Sequence, residues 1–256
     1  MKNIPNLFTL LNLLFGCIAI IFLLQNGITI SYTEDGAQFI NLPEKIWLGP
    51  LFIGLAAVVD FLDGFVARLF KATSSMGKQL DSLADLVSFG VAPGFILYQF
   101  LRLSFAKEED GIDVSMILLI PALFIPCAAA YRLARFNLDD EQQYGFKGVP
   151  TPATGLVIAS LPLIYWFSNQ EWMVALLLNK WFLYALSIVL SLLMLSNLPL
   201  MSLKFQDYSL KNNVWKVILL LISIILAVFF KWFAVPIIFI AYIILSLLAN
   251  RKLSNT

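Results

Sequence analysis

The sequence predicts an all-α, polytopic membrane protein with about eight transmembrane helices, and three observations predict it. Of 256 residues, 60% are hydrophobic and only 13% charged, with a mean hydropathy of +0.86; a soluble domain carries about 25% charged residues. The apolar excess falls in a series of separate runs rather than one anchor, so residues 1–256 read as a single integral-membrane domain. No run alternates with period two, and in lipid only helices or closed barrels satisfy their own backbone groups.

The apolar segments fall at 7–24, 45–70, 81–102, 115–136, 151–168, 172–197, 213–230 and 232–249. The first follows a start with one lysine and no small-residue cleavage pattern, so it reads as a retained helix. The second is long: at about 1.5 Å per residue it reaches roughly 39 Å, past the ~30 Å hydrocarbon core, which carries its last two turns to the membrane interface. The fifth is opened by Gly148 to Pro152, since proline is tolerated in a first turn. The last two are parted by a tight turn near Lys231. With eight spans both termini share a side. That side holds Lys2, Arg68, Lys71, Lys78, Arg132, Arg135, Lys147, Lys204, Lys211, Lys216, Arg251 and Lys252. The other side holds Lys45, Arg102, Lys107, Lys180 and Lys231 among several acids, so the termini are expected in the cytoplasm.

A net charge of +1 gives no argument for nucleic acid as a partner. The chain has no histidine, which removes histidine nucleophiles, bases and metal ligands. Cys17 and Cys127 sit in separate apolar runs and read as buried small hydrophobes rather than a metal or redox pair.

The chemistry points to four aspartates. Asp60 and Asp63, with Gly64 and Ala67, share one face of the second helix; Gly77, Asp81 and Asp85 share one face of the next. The short link between them predicts antiparallel neighbours with facing carboxylate stripes. Solvation at helix ends would explain one or two such acids, but not four on matched faces in apolar surroundings, where acids are costly and usually functional. Four carboxylates match the charge of two hard divalent cations, Mg²⁺ or Mn²⁺, which commonly recruit substrate phosphates to complete their shell. Such a pair suits in-line displacement at phosphorus. The small residues let an extended ligand such as a nucleotide lie against helix backbone, and Arg68 can pair with phosphate oxygens.

The pattern Asp60-x2-Asp63-Gly64-x2-Ala67-Arg68-x8-Gly77-x3-Asp81-x3-Asp85 resembles the defining motif, over 60–85, of the CDP-alcohol phosphatidyltransferases. That resemblance implies their fold, a homodimer, and attack by an alcohol on the lipid-side phosphorus of a CDP-linked substrate with release of CMP. It also implies metal binding by Asp60, Asp63, Asp81 and Asp85, a base role for Asp85, and a CDP site lined by Gly64, Ala67, Arg68 and Gly77. Further stretches are similar to the bacterial membrane-embedded, serine-using branch: Ile4-Pro5-Asn6-Leu7-Phe8-Thr9 with Asn12 and Gly16, Asp81-Ser82-Leu83-Ala84-Asp85 into Ser88-Phe89-Gly90-Val91-Ala92-Pro93, Arg132-Leu133-Ala134-Arg135-Phe136-Asn137, and Gly148-Val149-Pro150-Thr151-Pro152. These extend the likeness over about residues 4–155. They imply CDP-diacylglycerol and L-serine as substrates at the cytoplasmic face of a bacterial inner membrane.

A serine pocket needs a cation near the metals. Arg132 and Arg135, at i and i+3, and Lys147 lie on the expected side, and one of the arginines is expected to hold the serine carboxylate or the lipid-linked phosphate. Thr9 and Asn12 open the first helix, where they reach the nucleotide or a metal, or act as caps. Two alternatives stay open: the same reaction with glycerol phosphate, inositol phosphate or choline, and a transporter with intramembrane acids.

Overall fold

The computed structural model describes residues 4–25, 29–32, 38–41, 45–69, 74–107, 114–138, 146–167, 170–201 and 213–254. Each of the eight apolar segments is helical. The helices are α1 (Ile4–Leu24), α2 (Leu48–Leu69), α3 (Ser75–Asp85) with α4 (Ala92–Phe105), α5 (Met116–Leu119) with α6 (Phe124–Leu138), α7 (Thr151–Phe167), α8 (Glu171–Leu177) with α9 (Lys180–Leu195), α10 (Val214–Phe230) and α11 (Ala234–Ser254). The second helix is shorter than expected: its 22 residues extend about 33 Å.

The body is all-α, and two small antiparallel pairs occupy loops between the helices: β1 (Thr29–Tyr32) with β2 (Gln38–Asn41), and β3 (Phe146–Lys147) with β4 (Pro199–Leu200). Strands this short leave too few alternations to register as a period in sequence.

α3 runs into α4 without a break through one wide π turn at Leu86–Val91. In this turn the Ala92 amide bonds to Val87 rather than to Ser88, the acceptor of a regular α-helix, and Pro93, next in the chain, has no N–H to offer the Phe89 carbonyl. Three helices close on this turn where side chains are small. A Cβ on Gly16 of α1 would lie 2.9 Å from Ser88 Cα, one on Gly155 of α7 2.9 Å from Phe89 Cα, and Gly90 faces Ala129 of α6. The α3–α4 run is therefore the central pillar, with most of α4 buried, whereas the run from Val214 to Asn250 is largely unburied and lies on the outside. Much of the outer surface is apolar, as with Phe61, Val228 and Phe229, which suits a lipid surround rather than water.

Five described helical runs are long and apolar enough to cross a bilayer, and six when α8 and α9, bent by 63°, count as one. At 17 residues α7 lies at the short end of the spanning range, about 17–25 residues. Lys231, with φ of +50°, turns the chain between α10 and α11, and Leu219 and Tyr242 from the two helices are buried in one cluster.

The helix ends fall into two sets. At one end, Asn137 of α6 donates to Ser82 of α3 at 2.9 Å, and the Gly148 amide bonds to Leu198 beyond α9. Asn250 of α11 donates to the Pro199 carbonyl in the same place. At the other end, Gln99 of α4 donates to the last-turn carbonyl of Leu23 at 2.6 Å. The start of α1 and the end of α11 thus share one end of the molecule.

Cys17 and Cys127 correct the sequence reading: both are free and exposed on the outer faces of their helices, not buried. In lipid an apolar outward face satisfies them as well as a core does.

Candidate active site

The site lies where the ends of α2 and α3 meet the start of α1. Carboxylate oxygens of Asp60, Asp63 and Asp81 come within 4.8 Å of one another. Asp85, one turn deeper, stands outside that group of three, buried, yet close enough to interact with the charges of all three. A bound Mg²⁺ holds oxygens at about 2.0–2.1 Å, so opposite ligands stand about 4.2 Å apart. Three carboxylate oxygens within 4.8 Å of one another therefore stand close enough for one such ion to draw them together. Hard oxygen donors at this separation fit a divalent cation such as Mg²⁺ or Mn²⁺, without distinguishing the two.

The local sequence explains the placement. Ser74 caps α3, its hydroxyl accepting the Gly77 amide at 2.9 Å, which starts the helix so that Asp81 and Asp85 follow on one face. α2 and α3 bring Asp60 and Asp63 face to face with Asp81 across a gap, and both helices pack against α1. The gap between them is a cavity of about 500 Å³ lined by Pro5, Asn6, Thr9, Asp63, Gly64, Ser74, Ser75, Gly77, Lys78 and Asp81. Gly64 faces open space, and a Cβ on Gly77 would stand 3.2 Å from Asn6 Oδ1. Both expected glycines therefore line the void. Asn6, Ser74, Ser75 and Lys78 join them; of these, only Asn6 stands in the quoted motif stretches. The side chains of Ala67 and Arg68, on the last turn of α2, lie outside the described residues.

Thr9 and Asn12 reach the carboxylates themselves. The Thr9 hydroxyl lies 2.8 Å from Asp63 Oδ2, and Asn12 Nδ2 donates to Asp85 Oδ1 at 3.3 Å. The expected arginines part company. Arg132 is buried, donates to the Thr151 hydroxyl at 3.2 Å, and is close enough to Asp85 and Tyr242 to interact with both; among the described residues its buried Nε has no hydrogen-bond partner. Arg135 turns to the end of α9, donating to Asn197 Oδ1 and, at 3.5 Å, to the Leu195 carbonyl. Lys147 is exposed on β3. Tyr242, 110 residues from Arg132, carried no signal in the sequence, because only folding of the last hairpin brings it there.

The comparisons agree with this geometry. The CDP-diacylglycerol–serine O-phosphatidyltransferase of Helicobacter pylori is 32% identical over 209 residues, 81% of this chain and 75% of its own length. That of Bacillus subtilis is 31% identical over 171 residues, 64% of this chain and 78% of its own. The enzyme of that name in Methanocaldococcus jannaschii is 38% identical over 106 residues, 41% and 46% of the two chains. The family model described as CDP-alcohol phosphatidyltransferase matches residues 2–249, the whole helical body and every aspartate of the site. That match removes the transport alternative: the chain belongs to the CDP-alcohol phosphatidyltransferase family.

Proposed function

We propose that the protein transfers the phosphatidyl group of CDP-diacylglycerol to the hydroxyl of L-serine, giving phosphatidylserine and CMP. The observation that carries the reaction is the convergence of Asp60, Asp63 and Asp81 beside Asp85 at the rim of a cavity. Two Mg²⁺ or Mn²⁺ ions held by these four carboxylates would neutralise charge on the diphosphate and on the attacking and leaving oxygens.

The chain's own residues do the rest. Gly64 and Gly77 leave helix backbone open for the CDP moiety. Arg68, Ala67 and, at the margin, Lys147 are assigned to the phosphate side by the family motif and by charge. Asp85, desolvated against Asn12, takes the proton of the serine hydroxyl as that oxygen bonds to the lipid-side phosphorus. The phosphorus–oxygen bond to CMP breaks in the same displacement, and CMP leaves with the electron pair. Arg132, beside Asp85 and with no partner for its buried Nε among the described residues, is placed to receive the serine carboxylate. The names of the relatives support serine as acceptor, and Arg132 supports an anionic group on it. Eight crossings, both termini and the site in the cytoplasm of a bacterial inner membrane, and a homodimer complete the proposal; the shared end of α1 and α11 supports the first two.

The test is CMP release from CDP-diacylglycerol by the detergent-purified chain with a panel of alcohols. Serine is expected to drive release far above glycerol phosphate, inositol phosphate or choline. Faster release with any of those three overturns serine and leaves the reaction class standing.

A further inference from the structure

We infer that α1 is the element that sets the spacing of the two carboxylate stripes, and that Thr9 and Asn12 are positioning residues for the metal ligands rather than substrate contacts. The inference rests on the proposed metal site. α2 and α3 carry one stripe each and are parted by the cavity, whereas each packs along α1. α1 packs on both and gives each stripe one side-chain bond: Thr9 to Asp63 Oδ2 at 2.8 Å, Asn12 to Asp85 Oδ1 at 3.3 Å.

Neither bond is a default. A threonine in a membrane helix ordinarily bonds back to the carbonyl four residues before it. Here that carbonyl, of Pro5, is at 3.2 Å while the carboxylate is at 2.8 Å. Asn12 is fully buried, a costly place for an amide without a purpose. Its register is locked from the other side, because Ser88, just past Asp85, donates to the Asn12 carbonyl at 3.0 Å. Gly16 allows that approach: a Cβ there would fall on Ser88. Asn12 thus holds Asp85 while the turn after Asp85 holds Asn12. Each amide or hydroxyl thus holds one named carboxylate oxygen, Asp63 Oδ2 or Asp85 Oδ1. Partners of this kind fix the orientation of ligating carboxylates, and losing one commonly costs about 10–100-fold in metal affinity.

The test is Mn²⁺ binding to the purified full chain without substrate, read by electron paramagnetic resonance of free Mn²⁺. Thr9→Val, which keeps the shape and loses the hydroxyl, and Asn12→Leu are each expected to weaken binding about 10–100-fold. Thr9→Ser is expected to bind as wild type does. In CMP-release kinetics the weakened variants should need more metal for half-activation, by a larger factor than any change in the KM for CDP-diacylglycerol. Thr9→Val binding Mn²⁺ like wild type, or Thr9→Ser as weak as Thr9→Val, overturns the inference. If Asn12→Leu does not purify as one species, the Thr9 pair decides. A wild-type chain that binds no Mn²⁺ instead overturns the metal reading on which the inference stands.

Discussion

At the scale of single residues, burial and partners separate groups that sequence spacing joined. Arg132 and Arg135 share a helix face by spacing, but one is buried beside Asp85 and the other ties α6 to the end of α9. Arg132→Ala is therefore expected to raise the serine KM at least tenfold in CMP-release kinetics. Arg135→Ala should leave the serine KM unchanged and cost about 1 kcal/mol of stability, the net worth of an ordinary hydrogen bond; equal KM effects from both would contradict the division. Asp85→Asn keeps the shape but removes the proton acceptor together with one anionic metal ligand, so kcat should fall by at least about 10²–10⁴-fold. The aspartates were legible in the sequence because their spacing repeats along two helix faces. The roles of Thr9 and Asn12 were not, because their partners lie 54 and 73 residues away and no local period encodes them.

At the scale of elements, the apolar runs announced every helix, and what they did not announce are the departures from a plain helix. The π turn after Asp85 and the 63° bend between α8 and α9 change the ladder without changing composition. Both depend on what packs alongside. Two glycine substitutions separate packing from site. Gly16→Ala puts a methyl group on Ser88, and forcing α1 off the π turn should cost about 1–3 kcal/mol, seen as a lower Tm. Gly64→Ala meets nothing within 4 Å, so Tm should hold while the narrowed cavity raises the KM for CDP-diacylglycerol. The reverse pattern would mean that Gly64 is a packing residue and the cavity is not the nucleotide site.

At the scale of the whole molecule, the helices gather the acids, the buried arginine, the start of α1 and the end of α11 at one end of a body whose outer surface is apolar. The even number of apolar runs anticipated that α1 starts and α11 ends on one side; the approach of Tyr242 to Arg132 was beyond it, since it depends on how the last hairpin docks. The proposed function requires that the carboxylates at that end work only with a divalent cation between them and the diphosphate. The most direct test is CMP release from CDP-diacylglycerol with serine, titrated with Mg²⁺ or Mn²⁺ after chelation, in wild type and in Asp60→Asn, Asp63→Asn and Asp81→Asn. Wild type should be silent when chelated and recover with metal, and each variant should stay far below it at every metal concentration. Undiminished CMP release from chelated protein, or wild-type rates in the three variants, would contradict the metal-assisted site.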